Sequence, residues 1–175
     1  MTSLLAQRCA AVQALLTDVD GVLTNGLLAY DDEGRELKQF NVRDGQGFRL
    51  WREAGLRSGI VTSRRSVIVE RRAKELQIDA VCQGTETKLD AIRELAREWG
   101  LGLEQIAYVG DDLLDLAAVQ AVGLGVAVAD AAEEVRQAAV YVTSLPGGRG
   151  ALRETIELLL KNSGRWEDVL SHYVL

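Results

Sequence analysis

Residues 14–24 read ALLTDVDGVLT, and this stretch decides how the rest of the sequence is interpreted. An apolar run ends at Asp18 and Asp20, and Gly21 follows at once, which is typical of a buried strand that stops at a sheet edge. Alternate residues of an extended segment share a face, so both carboxylates can point to one side. Because two close carboxylates repel each other without a nearby cation, the pair indicates a divalent metal site. Oxygen ligands favour magnesium.

A simple polar turn is the alternative interpretation of this stretch, since Asp-Gly turns are common. The metal site is favoured by a second acidic cluster, residues 110–115 with the sequence GDDLLD, which also follows an apolar, strand-like run. We therefore expect Asp111, Asp112 and Asp115 to lie beside the first pair of aspartates.

Strand-like and helix-like segments alternate along the 175 residues, with no internal repeat and no interdomain linker. This alternation predicts a single α/β domain over residues 1–175, a doubly wound, mostly parallel Rossmann-like sheet with helices on both faces. After the strand that opens residues 14–24, the predicted strands are 57–62, 79–82, 105–109, 123–129 and 140–143. The predicted helices are 1–12, 44–54 with Asp44 as its cap, 66–76, 85–99, 112–122, 131–138 and 151–162.

A small β-hairpin is predicted directly after the first acidic pair. Residues 26–31 and 35–40 flank the turn Asp32-Glu33-Gly34, which is a hairpin signal. We expect this hairpin, about residues 26–40, to rise beside the site as a flap.

Polar residues stand near the carboxyl ends of several predicted strands, where doubly wound sheets bind their ligands. Thr62 and Ser63 end one strand, and Lys88 lies at the start of a helix. Phosphoryl transfer needs a nucleophile, a group that moves protons, and cations and hydroxyls that hold the phosphoryl oxygens. We assign Asp18 as nucleophile and Asp20 as acid and base, with Lys88, Thr62 and the amides around Ser63 on the phosphate. Taken singly, Thr62 is equally an ordinary strand residue and Lys88 a solvated one, but their coincidence favours the site.

Four motifs resemble those of the haloacid dehalogenase superfamily of phosphatases, namely DVDGVLT at 18–24, Thr62, Lys88 and GDDxxD at 110–115. Within that superfamily the chain resembles the 3-deoxy-D-manno-octulosonate 8-phosphate phosphatase family over nearly its whole length. The segments that carry this closer resemblance are FNVRDGQG at 40–47, Arg71-Arg72-Ala73 with Leu76, and PGGRGA at 146–151. The resemblance implies a capless fold, a Mg2+ cofactor, an aspartyl-phosphate intermediate, a homotetramer and a place in lipopolysaccharide precursor biosynthesis.

The resemblance also implies a set of metal ligands. Asp18 is implied to be both nucleophile and ligand, Asp20 to bind the metal through its backbone carbonyl, and Asp111 to be the third protein ligand. The other aspartates of the second cluster are implied to support the site. Two positions depart from the family pattern, because glycine and asparagine are frequent where this chain has Ser63 and Leu114. Neither departure removes a group that is assigned to the chemistry.

A substrate carboxylate is best bound by a guanidinium group, which matches it bidentately. The candidates are Arg43, Arg64, Arg65 and Arg149. A surface role is the alternative for each of the four, and Arg64 is favoured because it lies just past the strand that carries Thr62. The predicted substrate-binding residues are thus Asp20, Arg43, Thr62, Ser63, Arg64, Lys88 and Arg149.

Charge and composition exclude several kinds of partner. The net charge of −6 and the pI of about 4.9 argue against nucleic acid, whose phosphates need a basic surface. No apolar run is long enough to span a bilayer. Only two cysteines occur, Cys9 and Cys82, so a disulfide framework is not expected, which fits a cytoplasmic protein. The expected partners are a phosphorylated sugar acid and further copies of the chain.

Other interpretations stay open. A phosphatase of nine-carbon sugar acid 9-phosphates, of the sialic acid or KDN type, is the closest alternative function, and by resemblance it favours glutamate at the position of Arg64. A phospho-acceptor signalling domain is less consistent, because such domains carry the acceptor aspartate on a later strand. For the tail, residues 165–175, the alternatives are closure of a neighbouring subunit's site and simple fraying.

Overall fold

A six-stranded parallel sheet forms the centre of the computed structural model, which describes residues 3–174. In chain order the strands are β1 (Ala14–Thr17), β2 (Ala29–Tyr30), β3 (Glu36–Leu37), β4 (Arg57–Thr62), β5 (Ala80–Gln83), β6 (Ile106–Gly110), β7 (Leu124–Ala127) and β8 (Tyr141–Val142). The sheet order is β5-β4-β1-β6-β7-β8, and every neighbouring pair is parallel. The direction of winding reverses at β1, which confirms the predicted doubly wound, Rossmann-like α/β fold.

The helices, in chain order, are α1 (Leu4–Ala11), α2 (Val42–Glu53), α3 (Val67–Leu76), α4 (Lys88–Trp99), α5 (Leu116–Ala121), α6 (Glu133–Ala138), α7 (Ala151–Asn162) and α8 (Trp166–Ser171). Helices α2 to α6 lie between strands, α1 precedes β1, and α7 and α8 follow β8. Residues 1, 2 and 175, which belong to the predicted first helix and the predicted tail, lie outside the described residues. Between residues 3 and 174, no helix is long and apolar enough to cross a bilayer.

Apolar residues cover both faces of the sheet. All four residues of β1 and all five of β6 are buried. Helices α1, α2 and α7 pack together, and α4, α5 and α6 form a second group. In α7, Leu152, Ile156 and Leu159 recur at helical spacing and are buried, whereas Lys161 is exposed. The central strands are therefore rigid supports for whatever follows their carboxyl ends.

The hairpin is present, but it is shorter than predicted. β2 and β3 are antiparallel, and Ala29 lies opposite Leu37. Asp31 closes the turn by accepting the backbone N–H groups of Glu33 at 3.0 Å and Arg35 at 2.9 Å. Each strand has only two residues, and a two-stranded hairpin by itself is marginally stable.

The predicted helix over residues 112–122 is also shorter in the structure. A 3-10 turn covers Leu113–Asp115, and α5 begins only at Leu116. The cause is the Asp115 carboxylate, which turns back to the N–H groups of Asp111 and Asp112 and tightens this first turn.

Asp44 does not cap α2, which corrects a prediction. Asn41 is the cap, because its side-chain oxygen accepts the N–H of Arg43 at 2.8 Å. Asp44 is buried in the first turn of α2, and its Oδ1 accepts the N–H of Arg153 at 2.8 Å. It therefore caps α7, where Gly150 at the N-cap position has no side chain to do so.

The tail folds against its own chain. Helix α8 buries Val169, and the Tyr173 hydroxyl donates to Glu53 at 2.8 Å and accepts from Gln46 at 3.0 Å. Both partners lie on α2, so residues 166–173 are anchored rather than frayed. The contact of this tail with a neighbouring subunit stays a prediction.

Candidate active site

The sheet topology brings the predicted site segments to one edge. β1 pairs with β4 on one side and with β6 on the other, so the three strands end side by side. Asp18 follows β1, Thr62 ends β4, and Asp111 follows β6. Lys88 is the first residue of α4, and its ammonium reaches the same edge.

The Asp18 carboxylate is buried and is held by two donors. Its Oδ1 accepts the backbone N–H of Val19 at 2.6 Å, and its Oδ2 accepts the ammonium of Lys88 at 2.6 Å. Burial raises the pKa of Asp18, the Lys88 charge lowers it, and the Asp115 charge raises it again, with a net rise above the usual value. The strand end and the ammonium together fix the direction of this carboxylate.

Asp115 is fully buried, yet both of its oxygens are satisfied. Oδ1 accepts the ammonium of Lys88 at 2.6 Å and the hydroxyl of Tyr108. Oδ2 accepts the backbone N–H groups of Asp111 at 3.0 Å and Asp112 at 3.2 Å. Burial lowers the pKa of Lys88, but its two carboxylate partners raise it more, so the ammonium is retained. We call Asp18, Lys88, Tyr108 and Asp115 the core cluster.

Asp111 carries an unsatisfied oxygen at the same place. Its Oδ1 is buried and has no hydrogen-bond partner among the described residues. Burial, followed by the charges of Asp115 and Asp18, raises the pKa of Asp111 to about 8. A buried carboxylate oxygen without a donor or a cation is unfavourable, and a bound cation would satisfy it.

The acidic residues fit a magnesium ion. Oxygens of Asp18, Asp111 and Asp115 lie within 4.8 Å of one another. Because Asp115 already accepts four hydrogen bonds, the free lone pairs belong to Asp18 and Asp111, and oxygen donors suit Mg2+. Gly21 keeps this space open, since a Cβ there would lie 1.9 Å from Oδ2 of Asp111 and its φ of +90° favours glycine.

The Asp20 carboxylate is engaged by the hairpin instead. Its Oδ1 accepts the ammonium of Lys38, just after β3, and its Oδ2 lies 3.7 Å from Arg64. Oε1 of Glu36, on β3, accepts a hydrogen bond from the Arg64 guanidinium at 2.7 Å and lies 3.3 Å from the Lys38 ammonium. The second oxygen of Glu36 accepts the Ser66 hydroxyl at 3.2 Å. We call Asp20, Glu36, Lys38 and Arg64 the hairpin cluster.

Two members of the hairpin cluster, Glu36 and Lys38, are absent from the site predicted from the sequence. The Lys38 side chain is only 3% exposed, although it comes from an exposed hairpin. The available signal is local, because residues two apart in a strand share a face, and here they carry opposite charges. That pattern indicates an ion pair between Glu36 and Lys38, but it does not indicate that Lys38 also binds Asp20.

Thr62 and Ser63 lie where the sequence predicts them. Thr62 is buried at the last position of β4. The Ser63 hydroxyl is also buried and has no partner within the described part of the chain. An unsatisfied hydroxyl at the end of β4, which pairs with β1, is consistent with a ligand that brings acceptor oxygens.

Arg43 and Arg149 are not part of either cluster. Both are exposed, and across the residues that the structure describes neither forms an ion pair. The loop that carries Arg149 nevertheless packs on the first acidic motif, because a Cβ at Gly147 would lie 1.7 Å from the carbonyl oxygen of Gly21. Arg149 is thus the one of the two whose position beside the site is supported by packing.

Comparison with known proteins places this geometry among phosphatases. A family model described as haloacid dehalogenase-like hydrolase matches residues 78–147. The chain is 46% identical over 154 residues to a 3-deoxy-D-manno-octulosonate 8-phosphate phosphatase of Yersinia pestis, and the match covers 88% of this chain and 82% of the relative.

Solved structures agree with the sequence match. A phosphatase of that name from Moraxella catarrhalis, crystallised with a magnesium ion, a phosphate ion and a KDO molecule, has a TM-score of 0.95 at 38% identity, covering 97% of this chain and 98% of that chain. A cobalt-bound deoxy-D-mannose-octulosonate 8-phosphate phosphatase from Haemophilus influenzae has a TM-score of 0.87 at 40% identity, covering 90% and 92%. The likeness therefore extends over almost the whole chain.

Proposed function

The chain belongs to the 3-deoxy-D-manno-octulosonate 8-phosphate phosphatase family of the haloacid dehalogenase superfamily, and we propose that it hydrolyses this sugar-acid phosphate. The products are the free sugar acid and inorganic phosphate. The observation that carries the proposal is the Asp18 carboxylate, held by Lys88 beside the unsatisfied oxygen of Asp111. This arrangement provides a nucleophile next to a cation site, which phosphoryl transfer requires.

Asp18 is the nucleophile of the first half-reaction. One of its oxygens bonds to phosphorus while the bond between phosphorus and the ester oxygen breaks. Asp20 gives its proton to that ester oxygen, which leaves as a hydroxyl of the sugar acid. Lys88, the Thr62 hydroxyl and the N–H groups around Ser63 hold the phosphoryl oxygens during this step.

Water completes the second half-reaction. The Asp20 carboxylate takes a proton from water while the water oxygen bonds to phosphorus and the bond from Asp18 to phosphorus breaks. Phosphate then leaves, and both aspartates regain their starting states. Asp18, Asp111 and the backbone carbonyl of Asp20 would hold Mg2+, which supplies positive charge to the phosphoryl group.

Arg64 is proposed to bind the carboxylate of the sugar acid. It lies at the rim beside Asp20, and its fork already binds a carboxylate, that of Glu36. Arg43 and Arg149 are further candidates, because both are exposed and the loop that carries Arg149 packs on the first acidic motif. A guanidinium suits this task through its paired N–H groups.

A phosphate-release screen tests the substrate. The purified protein with Mg2+ is offered eight-carbon sugar acid 8-phosphates and nine-carbon sugar acid 9-phosphates, and we expect the highest kcat/KM for 3-deoxy-D-manno-octulosonate 8-phosphate. A higher kcat/KM for a nine-carbon substrate would assign the chain to that alternative. Activity that persists in excess chelator would reject the metal-dependent mechanism.

A homotetramer is also proposed, and the hairpin supports it. Four of its large apolar side chains expose between 55% and 74% of their surface, namely Leu27, Leu28, Tyr30 and Leu37, whereas Phe40 packs against the core. Such a patch needs a cover, and pairing of hairpins from several subunits would provide it. Light scattering at micromolar concentration should give a tetramer that Leu27→Ser with Leu37→Ser weakens. Leu4→Ser, on α1, is the matched control, and a monomeric native protein would refute the proposal.

The tail is proposed to reach the site of a neighbouring subunit in that tetramer. Deletion of residues 165–175 should then raise KM for the sugar-acid phosphate and change KM for a small phosphate ester little. Arg149→Ala should act in the same direction. Equal KM values for the full-length and shortened proteins would show that the tail is idle.

The cytoplasm is the proposed compartment, with a role in lipopolysaccharide precursor biosynthesis. Cys9 and Cys82 are both free thiols, which supports a reducing environment. Cell fractionation tests this, because recovery in a periplasmic or membrane fraction would contradict it.

A further inference from the structure

We propose that Lys38 is a positioning residue for proton transfer by Asp20, an inference that rests on the proposed function and deepens it. The Lys38 ammonium binds Oδ1 of Asp20, so the carboxyl group cannot rotate freely about its own bond. The other oxygen, Oδ2, is 3.7 Å from the Arg64 guanidinium, beyond hydrogen-bond distance. Lys38 therefore selects Oδ2 as the oxygen that exchanges a proton with the ester oxygen.

The burial of Lys38 supports this role. A lysine normally extends its ammonium into water, but here 3% of the side chain is exposed. The charge is matched by Asp20 and by Glu36, which lies 3.3 Å away. Glu36 is fixed in turn by Arg64 at 2.7 Å and by the Ser66 hydroxyl at 3.2 Å. Several independent contacts thus determine where the ammonium lies.

This role predicts a dependence on the leaving group. When a sugar acid leaves, the ester oxygen must receive a proton from Asp20 as its bond to phosphorus breaks. A dinitrophenyl group leaves as a stable anion and needs no proton. Misplacement of the Asp20 carboxyl should therefore slow phosphoryl transfer from the alkyl ester to Asp18 and spare transfer from the aryl ester, whereas general damage to the site would slow both. Hydrolysis of the aspartyl-phosphate also uses Asp20 and is common to both esters, so the comparison is made on kcat/KM, which reports the transfer step.

The test compares kcat/KM for the sugar-acid phosphate with kcat/KM for 2,4-dinitrophenyl phosphate. Lys38→Met should lower the first about 10- to 100-fold, part of the effect of general acid catalysis, and the second less than about 3-fold. Arg35→Met is the matched control, because it removes a cation from the same hairpin whose ion pairs are with Asp31 and Glu33. It should leave both rates unchanged.

Two further variants keep the test decisive. Lys38→Arg keeps the charge, so it should lose less of the alkyl-ester rate than Lys38→Met and again spare the aryl ester. With Asp20→Asn already present, Lys38→Met should cause no further loss. Equal losses on both esters, a rise in KM with unchanged kcat, or independent losses in the double variant would each overturn the proposal.

Failure of the proposed function has a different signature. If the native protein does not hydrolyse the sugar-acid phosphate but hydrolyses another alkyl phosphate, only the substrate assignment is rejected. The comparison with 2,4-dinitrophenyl phosphate is then made with that alkyl ester. If the native protein hydrolyses no phosphate monoester at all in Mg2+, both proposals are rejected.

Discussion

Asp18 and Asp20 are two residues apart in the sequence, but different parts of the molecule hold them. Asp18 belongs to the core cluster, whose other members come from β6, α4 and the turn before α5. Asp20 belongs to the hairpin cluster, whose other members come from β3, the residue just after it and the loop after β4. One aspartate is attached to the centre of the sheet and the other to a flap.

The two clusters differ in solvent exposure, and this decides what each can do. In the core cluster the side chains of Lys88 and Asp115 are 2% and 0% exposed. In the hairpin cluster Lys38 is also buried, at 3%, but its partners Glu36, Asp20 and Arg64 are 17%, 22% and 42% exposed. Charges in the core cluster interact strongly and lose much if one is removed. Charges in the hairpin cluster are partly screened by water and salt. Asp18, the proposed nucleophile, is therefore held rigidly, whereas the position of Asp20, the proposed acid and base, depends on the position of the hairpin.

The largest expected effect separates the two aspartates themselves. Asp18→Asn should lower kcat at least about 10³-fold for alkyl and aryl phosphates alike, because no other group attacks phosphorus. Asp20→Asn should lower kcat/KM for the alkyl ester about 10²- to 10⁴-fold and kcat/KM for the aryl ester much less, because only the alkyl leaving group needs a proton during phosphoryl transfer. Circular dichroism should show native folds for both. Equal effects of both variants on both esters would contradict the division of labour.

The next effect is on stability. Lys88→Met leaves two buried carboxylates without their cation, and it should lower the free energy of unfolding by about 3–5 kcal/mol. Lys38→Met, the matched change in the hairpin cluster, should cost about 1–2 kcal/mol, because the Asp20 side chain is 22% exposed. Urea unfolding of the two variants measures the difference. Similar losses would show that the clusters are energetically alike.

Tyr108→Phe sharpens the description of the core cluster. It removes one of four donors to Asp115, and the cost should be about 1–3 kcal/mol of unfolding free energy. Since burial and the Asp115 charge raise the pKa of Tyr108 far above its usual value, the phenol stays a donor at any pH used. Tyr141→Phe, a partly buried tyrosine that donates to Glu154, is the control and should cost less. A larger loss from Tyr141→Phe would go against this ranking.

The smallest effect concerns pH and salt at the hairpin. Burial raises the pKa of Glu36, but Lys38 and Arg64 outweigh it and hold the pKa below 4.5. A lowered folded pKa gives stability that is present above the unfolded pKa and is lost as pH falls through the folded value. Glu36→Gln should thus cost less than about 1 kcal/mol at neutral pH, and less in high salt.

Measurement of unfolding free energy against pH checks that sign. The difference between Glu36→Gln and the native protein should vanish as pH falls below 4.5. Glu133→Gln, whose carboxylate accepts only an uncharged amide from Gln137, is a control for removal of a surface carboxylate. A difference that grows in acid, or that high salt does not change, would place Glu36 with the core cluster.

Local patterns explain which parts of this molecule the sequence predicts. Asp18, Thr62 and Asp111 each follow or end an apolar strand, and parallel strands end at a common edge, so their proximity follows from the order of elements. Lys38 and Asp44 could not be placed in the same way. Each of them contacts a residue outside its own helix or strand, so the periodicity of the sequence does not predict the contact. Only the packing of the hairpin and of α2 brings the partners together.

The position of β1 has a consequence for how the chain folds. During synthesis β1 emerges before the other strands, but in the finished sheet it lies between β4 and β6, so its second neighbour comes from the far half of the chain. Closing such long loops costs entropy before any contact offsets it, which slows folding. While the chain is only partly synthesised, one edge of β1 has no partner strand and can pair with another chain. The strand that precedes Asp18, the proposed nucleophile, therefore completes its pairing only after β6 has been made.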